Sequence, residues 1–172
     1  RLRVIKAMSK GLGRAVHLAH HLLSEVVTPG GTAIDATAGN GYDSLFLARL
    51  VGPRGKVYAI DIQADALEKT SRLLLDEGVR ERVVLVQASH EQLGEIVNEQ
   101  VDGVIFNLGY LPGGDHKLVT TGETTVRALN AALERLKPGG RVALVVYIGH
   151  PGGQEECEAL EGLISSLDIT LY

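Results

Sequence analysis

Apolar and polar positions along the chain keep switching between two rhythms. Between residues 14 and 27, Leu18, Leu22 and Val26 recur at four-residue spacing with Ala15, Ala19 and Leu23 beside them. That spacing predicts an amphipathic helix, which Pro29-Gly30-Gly31 stops. A short apolar strand follows over Thr32 to Thr37, then a helix from Tyr42 to Leu50, then a strand from Lys56 to Ile60. The helix from Ala64 to Asp76 turns Leu67, Ser71 and Leu74 inward and ends at Gly78. Val83 to Val86 is continuously apolar, as expected of a parallel strand covered on both faces. Ser89 and Gln92 form a capping-box signal, and Val101 to Phe106 reads as the fourth strand. A second capping box, Thr120 with Glu123, opens a helix whose Val126, Leu129, Leu133 and Leu136 face inward. Lys137-Pro138-Gly139-Gly140 ends it, and Arg141 to Tyr147 is the fifth strand. Cys157, Leu160, Ile164 and Leu167 share one side of a last helix, and Ile169 to Tyr172 begins a sixth strand.

Strands that alternate with helices throughout predict an α/β fold with a doubly wound, mostly parallel sheet and helices on both faces. The 172 residues hold no repeat, low-complexity tract or linker, so 1–172 reads as one domain. Ligands on such sheets bind beyond the strand C-termini at the switch point. Asp35, Asp61, Ser89 and Asn107 each end or follow a strand, so they converge on one edge although far apart in sequence.

Composition narrows the classes. Apolar content is 45%, and no apolar run reaches membrane-spanning length, so no membrane partner is expected. One cysteine excludes an internal disulfide and a cysteine-based metal site. That fits a reducing compartment such as the cytoplasm, or an organelle if a transit peptide preceded Arg1. A net charge of −4 argues against a sequence-blind nucleic-acid binder. The charge is uneven, however. Arg1, Arg3, Lys6, Lys10 and Arg14 precede the first acid, Glu25, so residues 1–14 form a basic arm that either meets phosphates or is simply solvated. His17 and His21 lie one helical turn apart, a spacing a metal could use, but no third ligand is visible and no metal is expected. His17, His20 and His21 read as facing solvent or RNA. Oligomeric state is not specified, and a homodimer stays open.

The chemistry concentrates first at Asp35-Ala-Thr-Ala-Gly-Asn-Gly41. A strand, a tight loop with Gly39 and Gly41, and then a helix let backbone approach a ligand closely. A dinucleotide site would want a third glycine where Ser44 stands. Asp35 would repel a pyrophosphate but suits the cationic amino and sulfonium groups of S-adenosylmethionine, which favours that cofactor over NAD. Asp61, about twenty residues beyond the loop, can accept both ribose hydroxyls of an adenosine or simply cap the next helix. Ser89 is a cap whose exposed turn could also hold the adenine edge, and His90 could flank that ring or be a plain first-turn residue.

The second concentration is Asn107-Leu-Gly-Tyr-Leu-Pro-Gly-Gly-Asp-His116. Asn107-x-x-Tyr110 resembles the Asn-Pro-Pro-Tyr motif of amino-group methyltransferases, with Leu108-Gly109 in place of two prolines. An asparagine oxygen can accept an amine N–H and aim the lone pair at a methyl group, and a tyrosine can stack on a flat base. Asp115 and His116 could remove a proton from an ammonium acceptor, or could form a polar turn. Gly149-His150-Pro-Gly-Gly153 either lines the substrate mouth or is an ordinary loop.

Taken together, Asp35 to Gly41, Asp61-Ile-Gln63, Ser89-His-Glu91, Asn107 to His116 and Tyr147-Ile-Gly-His150 resemble the YtqB-like/MnmM family, long labelled rRNA methylases. The resemblance spans nearly the whole chain from residue 15. It implies a Rossmann-like class I methyltransferase fold and S-adenosylmethionine as cofactor. It further implies transfer to the primary amine of 5-aminomethyluridine, with or without a 2-thio group, in the wobble position of the tRNA anticodon loop. Asn40, Tyr42, Asp43, Asp61, Gln63, Ser89 and His90 would hold the cofactor, and Asn107, Tyr110, Asp115 and His116 would surround the acceptor. Members of the family continue past the sixth strand into a closing strand pair; this sequence stops before it, so either the tail is missing or the sheet edge differs. The alternatives are an rRNA or small-amine methyltransferase of the same fold, an NAD-dependent oxidoreductase, and a non-catalytic cofactor- or RNA-binding module.

Overall fold

The computed structural model describes residues 2–7, 12–108 and 122–147, with isolated positions at 158, 161, 162 and 165. The chain runs β1 (Leu2–Ala7), α1 (Leu12–Ser24), β2 (Thr32–Asp35), α2 (Tyr42–Val51), β3 (Lys56–Asp61) and α3 (Ala64–Asp76). It continues through β4 (Val83–Gln87), the short α4 (Leu93–Ile96), β5 (Val101–Leu108), α5 (Gly122–Arg135) and β6 (Leu136–Tyr147). The six strands lie in the order β1-β6-β5-β2-β3-β4, and every pairing is parallel. The order reverses between β2 and β5, so the crevice that such sheets use for ligands opens over those two strand ends.

Strand periodicity sorts the core. Ala33, Ala59, Ile105, Ala143 and Val145 face the layer of α1, α2 and α3, where they meet Ala19, Leu23, Leu47, Ala48 and Leu74. Their neighbours Ile34, Ile60, Phe106, Leu144 and Val146 face α4 and α5, against Leu93, Ala128, Leu129 and Ala132. Ala33, Ala59, Ala143 and Gly103 on the first face let α1 and α2 lie close to the sheet. Gly103 shows how close, since a Cβ there would stand 2.6 Å from Val27 Cγ2 and 3.0 Å from Leu23 Cδ2.

Several expectations need correction. α1 ends at Ser24, and its inward face is Ala15, Ala19 and Leu23, with Val27 buried just beyond it, whereas Leu18 is exposed and Leu22 and Val26 are only half-buried. Both stripes have helical spacing, and packing against Gly103 selects the slimmer one. In α3 it is Thr70 that is buried; Ser71 is half-buried and accepts from Arg80. Val83 to Val86 belongs to an edge strand rather than a covered one, and Val84 is exposed. Residues Leu2–Ala7 of the basic arm form a strand paired with Leu136–Tyr147. In the last helix Glu158, Glu161, Gly162 and Ser165 are helical, whereas Cys157, Leu160, Ile164 and Leu167 and the strand at Ile169 lie outside the described residues.

Candidate functional site

The loop between β2 and α2 is held from both sides of the switch point. Ala36 N–H donates to Ile105 O (3.0 Å) on β5, and Ala38 N–H donates to Ile60 O (3.0 Å) on β3. Gly39 and Gly41 take positive φ values of 53° and 87°. A Cβ at Gly41 would meet Thr70 Cα at 2.9 Å, and Thr70 Oγ1 donates to Gly39 O (3.2 Å), so α3 clamps the turn from below.

Asp35 sits beneath this loop, not in the crevice. It is fully buried, its Oδ1 accepts from Thr37 N–H (3.1 Å) and its Oδ2 from the Ser44 hydroxyl (2.6 Å). Burial first, and then the neighbouring Asp43, push its pKa up to about 8. A carboxyl so placed shapes the loop; it offers no exposed negative charge to a cofactor, contrary to the expectation from sequence. The raised value has a consequence for stability. The folded state holds a proton on Asp35 that the unfolded chain releases near pH 4, so stability falls as pH rises toward about 8. Asp35→Asn keeps the shape without the proton. It should flatten the decline by up to about 1.4 kcal/mol per pH unit between pH 5 and 8, measured by urea unfolding. An unchanged slope in the variant would show that Asp35 is ionised throughout.

Asp61, at the end of β3, is half-buried and uses one position on each oxygen internally. Oδ2 accepts from Gly39 N–H (2.9 Å) and Oδ1 from Gln63 N–H (2.9 Å). A carboxylate has further lone pairs, so Asp61 can still accept hydrogen bonds from a ligand beside the loop. Gln63 caps α3 by position, and Asn40 is exposed at the loop tip. Tyr42, the first residue of α2, is 68% exposed, which leaves its ring available above the same loop.

The third strand end brings in Asn107. β5 extends two residues further than the sequence pattern indicated, so Asn107 is a strand residue paired in register with Val145. Its N–H donates to Thr37 Oγ1 (2.8 Å), which ties it to the loop across the switch point. Its side-chain Nδ2 donates to Asp43 Oδ2 (3.1 Å). Asp43 Oδ1 is in turn 2.6 Å from His20 Nε2, and the His20 ring stacks on Phe46 at 3.8 Å. Asp43 is therefore a buried bridge rather than an open ligand for a cofactor. His20 is the member that sequence reasoning missed. Three histidines crowd α1, and only the identity of the buried stripe tells which one turns toward α2.

Ser89 begins the next turn after β4, where its hydroxyl accepts from Glu91 N–H (3.4 Å), as a cap does. His90 is buried, lies edge-on to Phe106 at 5.9 Å, and has an Nε2 without a hydrogen-bond partner among the described residues. Burial drives its pKa down to about 4, so the ring is neutral. Tyr110, Asp115, His116 and the loop around His150 lie outside the described residues. Among the described residues no group of three His, Cys, Asp or Glu side chains could hold a metal, and no helix is long and apolar enough to cross a membrane.

Known proteins resemble this arrangement. A family model described as "Putative rRNA methylase" matches residues 57–172. A "tRNA (mnm(5)s(2)U34)-methyltransferase, chloroplastic" of Arabidopsis thaliana is 48% identical over 171 residues, which cover 93% of this chain and 62% of that protein. A "Ubiquinone/menaquinone biosynthesis C-methyltransferase UbiE" of Ectopseudomonas mendocina is 35% identical over 73% of this chain and 45% of its own. The chain thus spans less than two thirds of the length of these relatives. Among solved structures, a "putative rRNA-methylase" from Clostridium thermocellum superposes with a TM-score of 0.88 at 39% identity, covering 91% of this chain and 84% of that one. A "putative methyltransferase" from Streptococcus mutans in complex with SAH superposes with a TM-score of 0.82, also at 39% identity and the same coverage.

Proposed function

The chain belongs to the family described as "Putative rRNA methylase", and from that membership we propose that it is an S-adenosylmethionine-dependent methyltransferase of tRNA. Its acceptor is the primary amine of 5-aminomethyluridine, with or without the 2-thio group, at the wobble position. The name of the Arabidopsis relative, 48% identical over 93% of this chain, supports that substrate. The same name supports an organellar location over a cytoplasmic one.

One observation favours this cofactor over a dinucleotide. Four amides of the loop are already used. Thr37 N–H goes to Asp35, Ala38 N–H to Ile60 O, Gly39 N–H to Asp61 and Gly41 N–H to Ala38 O. Ser44, where a dinucleotide site needs its third glycine, is fully buried on Asp35. A cofactor without phosphates suits such a loop. The SAH complex of the Streptococcus mutans structure points the same way.

The cofactor, when bound, supplies a methyl group activated on a sulfonium. Asp61 accepts the ribose hydroxyls with the lone pairs that Gly39 and Gln63 leave free. Tyr42, Ser89 and His90 would help hold the cofactor, the last two beside its adenine, with His90 kept neutral by burial. Asn107 accepts an N–H of the substrate amine through Oδ1 and aims the nitrogen lone pair along the line of transfer. Tyr110 would stack on the uracil, and Asp115 and His116 would remove the proton from an ammonium acceptor before it attacks. A wobble base is already partly unstacked, so turning it into the crevice costs little.

Methyl-labelled cofactor offered with separated tRNA and rRNA tests the proposal. Label should enter tRNA and appear in a single modified nucleoside. Label in rRNA alone would move the substrate to the one in the family's description.

A further inference from the structure

His20 lies on α1, outside every motif that carries the proposed chemistry. It is nonetheless the anchored end of a chain of contacts that reaches the reacting edge. Its ring lies flat on Phe46, with 3.8 Å between centroids and 2° between planes, so it cannot swing freely. Its Nε2 meets Asp43 Oδ1 at 2.6 Å, and the side chain is 21% exposed against 8% for Asp43. The other oxygen of Asp43 accepts from Asn107 Nδ2 at 3.1 Å. A carboxylate only accepts hydrogen bonds, so it must face the NH2 side of the Asn107 amide. The amide oxygen is then the side turned away, and among the described residues no donor reaches it.

We propose that His20 is a positioning residue. Acting through Asp43, it fixes the Asn107 amide in the one orientation that presents an acceptor oxygen to a substrate amine. Were Asp43 free to turn, the amide could flip and present NH2 donors, which repel an amine's N–H and suit a carbonyl instead. His20 thereby sets the class of acceptor, an N–H donor. This rests on the reading of Asn107 as the residue that orients the acceptor.

Two substitutions separate the hydrogen bond from the packing. His20→Phe keeps the stack on Phe46 and removes the bond to Asp43. His20→Gln removes the stack but places an amide NH2 near the former Nε2. Turnover at saturating substrates should fall by about tenfold or more in His20→Phe, the scale of a loosened reacting pair, with cofactor affinity unchanged. His20→Gln should recover most of that loss. A purely structural histidine would give the opposite order. A readout independent of turnover is the side-chain amide of Asn107 in 15N NMR spectra, assigned by its absence in Asn107→Ala. In the wild-type protein its two protons should exchange slowly, in His20→Phe fast, and in His20→Gln slowly again. Protection unchanged in His20→Phe would overturn the proposal. If the wild-type protein transfers no methyl group to tRNA, the substrate reading fails, while the amide exchange still decides the role of His20.

Discussion

Asn107→Ala is expected to lower methyl transfer by about 100-fold or more at saturating cofactor, the scale of a misaimed reacting pair, while cofactor affinity changes little. The asparagine stands where β5 ends beside the glycine loop, tied by its backbone to Thr37 and by its side chain to Asp43. The proposed cofactor seat, Asp61 and the loop at Gly39, makes no side-chain hydrogen bond to Asn107. The loss should therefore fall on kcat, the signature of an interaction made with the acceptor in the transition state. Asn107→Asp is informative beside it. A carboxylate next to Asp43 adds a second negative charge to a buried site, so it should also lose activity although it retains an acceptor oxygen. Turnover within about twofold of wild type in Asn107→Ala would remove this residue from the mechanism.

Asp61→Ala should act on the other substrate. Two hydrogen bonds from ribose hydroxyls to a carboxylate contribute enough that their loss weakens cofactor binding about 100-fold. The same side chain holds Gly39 N–H and Gln63 N–H, so its removal also loosens the loop and the start of α3. Calorimetric titration with S-adenosylmethionine would read the loss directly. Asp61→Asn should retain part of the affinity, because its amide oxygen can still accept from one hydroxyl. Equal affinity in wild type and Asp61→Ala would place the ribose elsewhere.

How far these positions can be read in advance depends on what kind of physical signal each one leaves. Asp61 and Asn107 sit at strand ends, and parallel strands bring all their C-termini to one edge, so the convergence follows from the alternation of strands and helices alone. The role of Asp35 does not follow. A strand-end acid looks the same in sequence whether it faces the crevice or lies beneath the loop, and only its contacts with Ser44 and Thr37 tell which. The inward stripe of α1 is ambiguous because Leu18-Leu22-Val26 and Ala15-Ala19-Leu23 have equal spacing. The tight approach at Gly103, which no helix pattern encodes, decides between them. The same ambiguity conceals His20 among three histidines. At the N-terminus the basic residues draw attention away from Leu2, Val4 and Ile5, and with it from the strand Leu2–Ala7 that pairs with Leu136–Tyr147. Val83 to Val86 reads as central because its apolar run is continuous, yet its position at the sheet edge leaves Val84 exposed.

The nitrogen that receives the methyl group defines the reaction. Purified protein, S-adenosylmethionine and tRNA carrying 5-aminomethyluridine should yield, after digestion and mass spectrometry, a wobble nucleoside heavier by one methylene with the added carbon on the side-chain amine. Recovery of the unmodified aminomethyl nucleoside, with the methyl group found on another base or on no RNA at all, would contradict it.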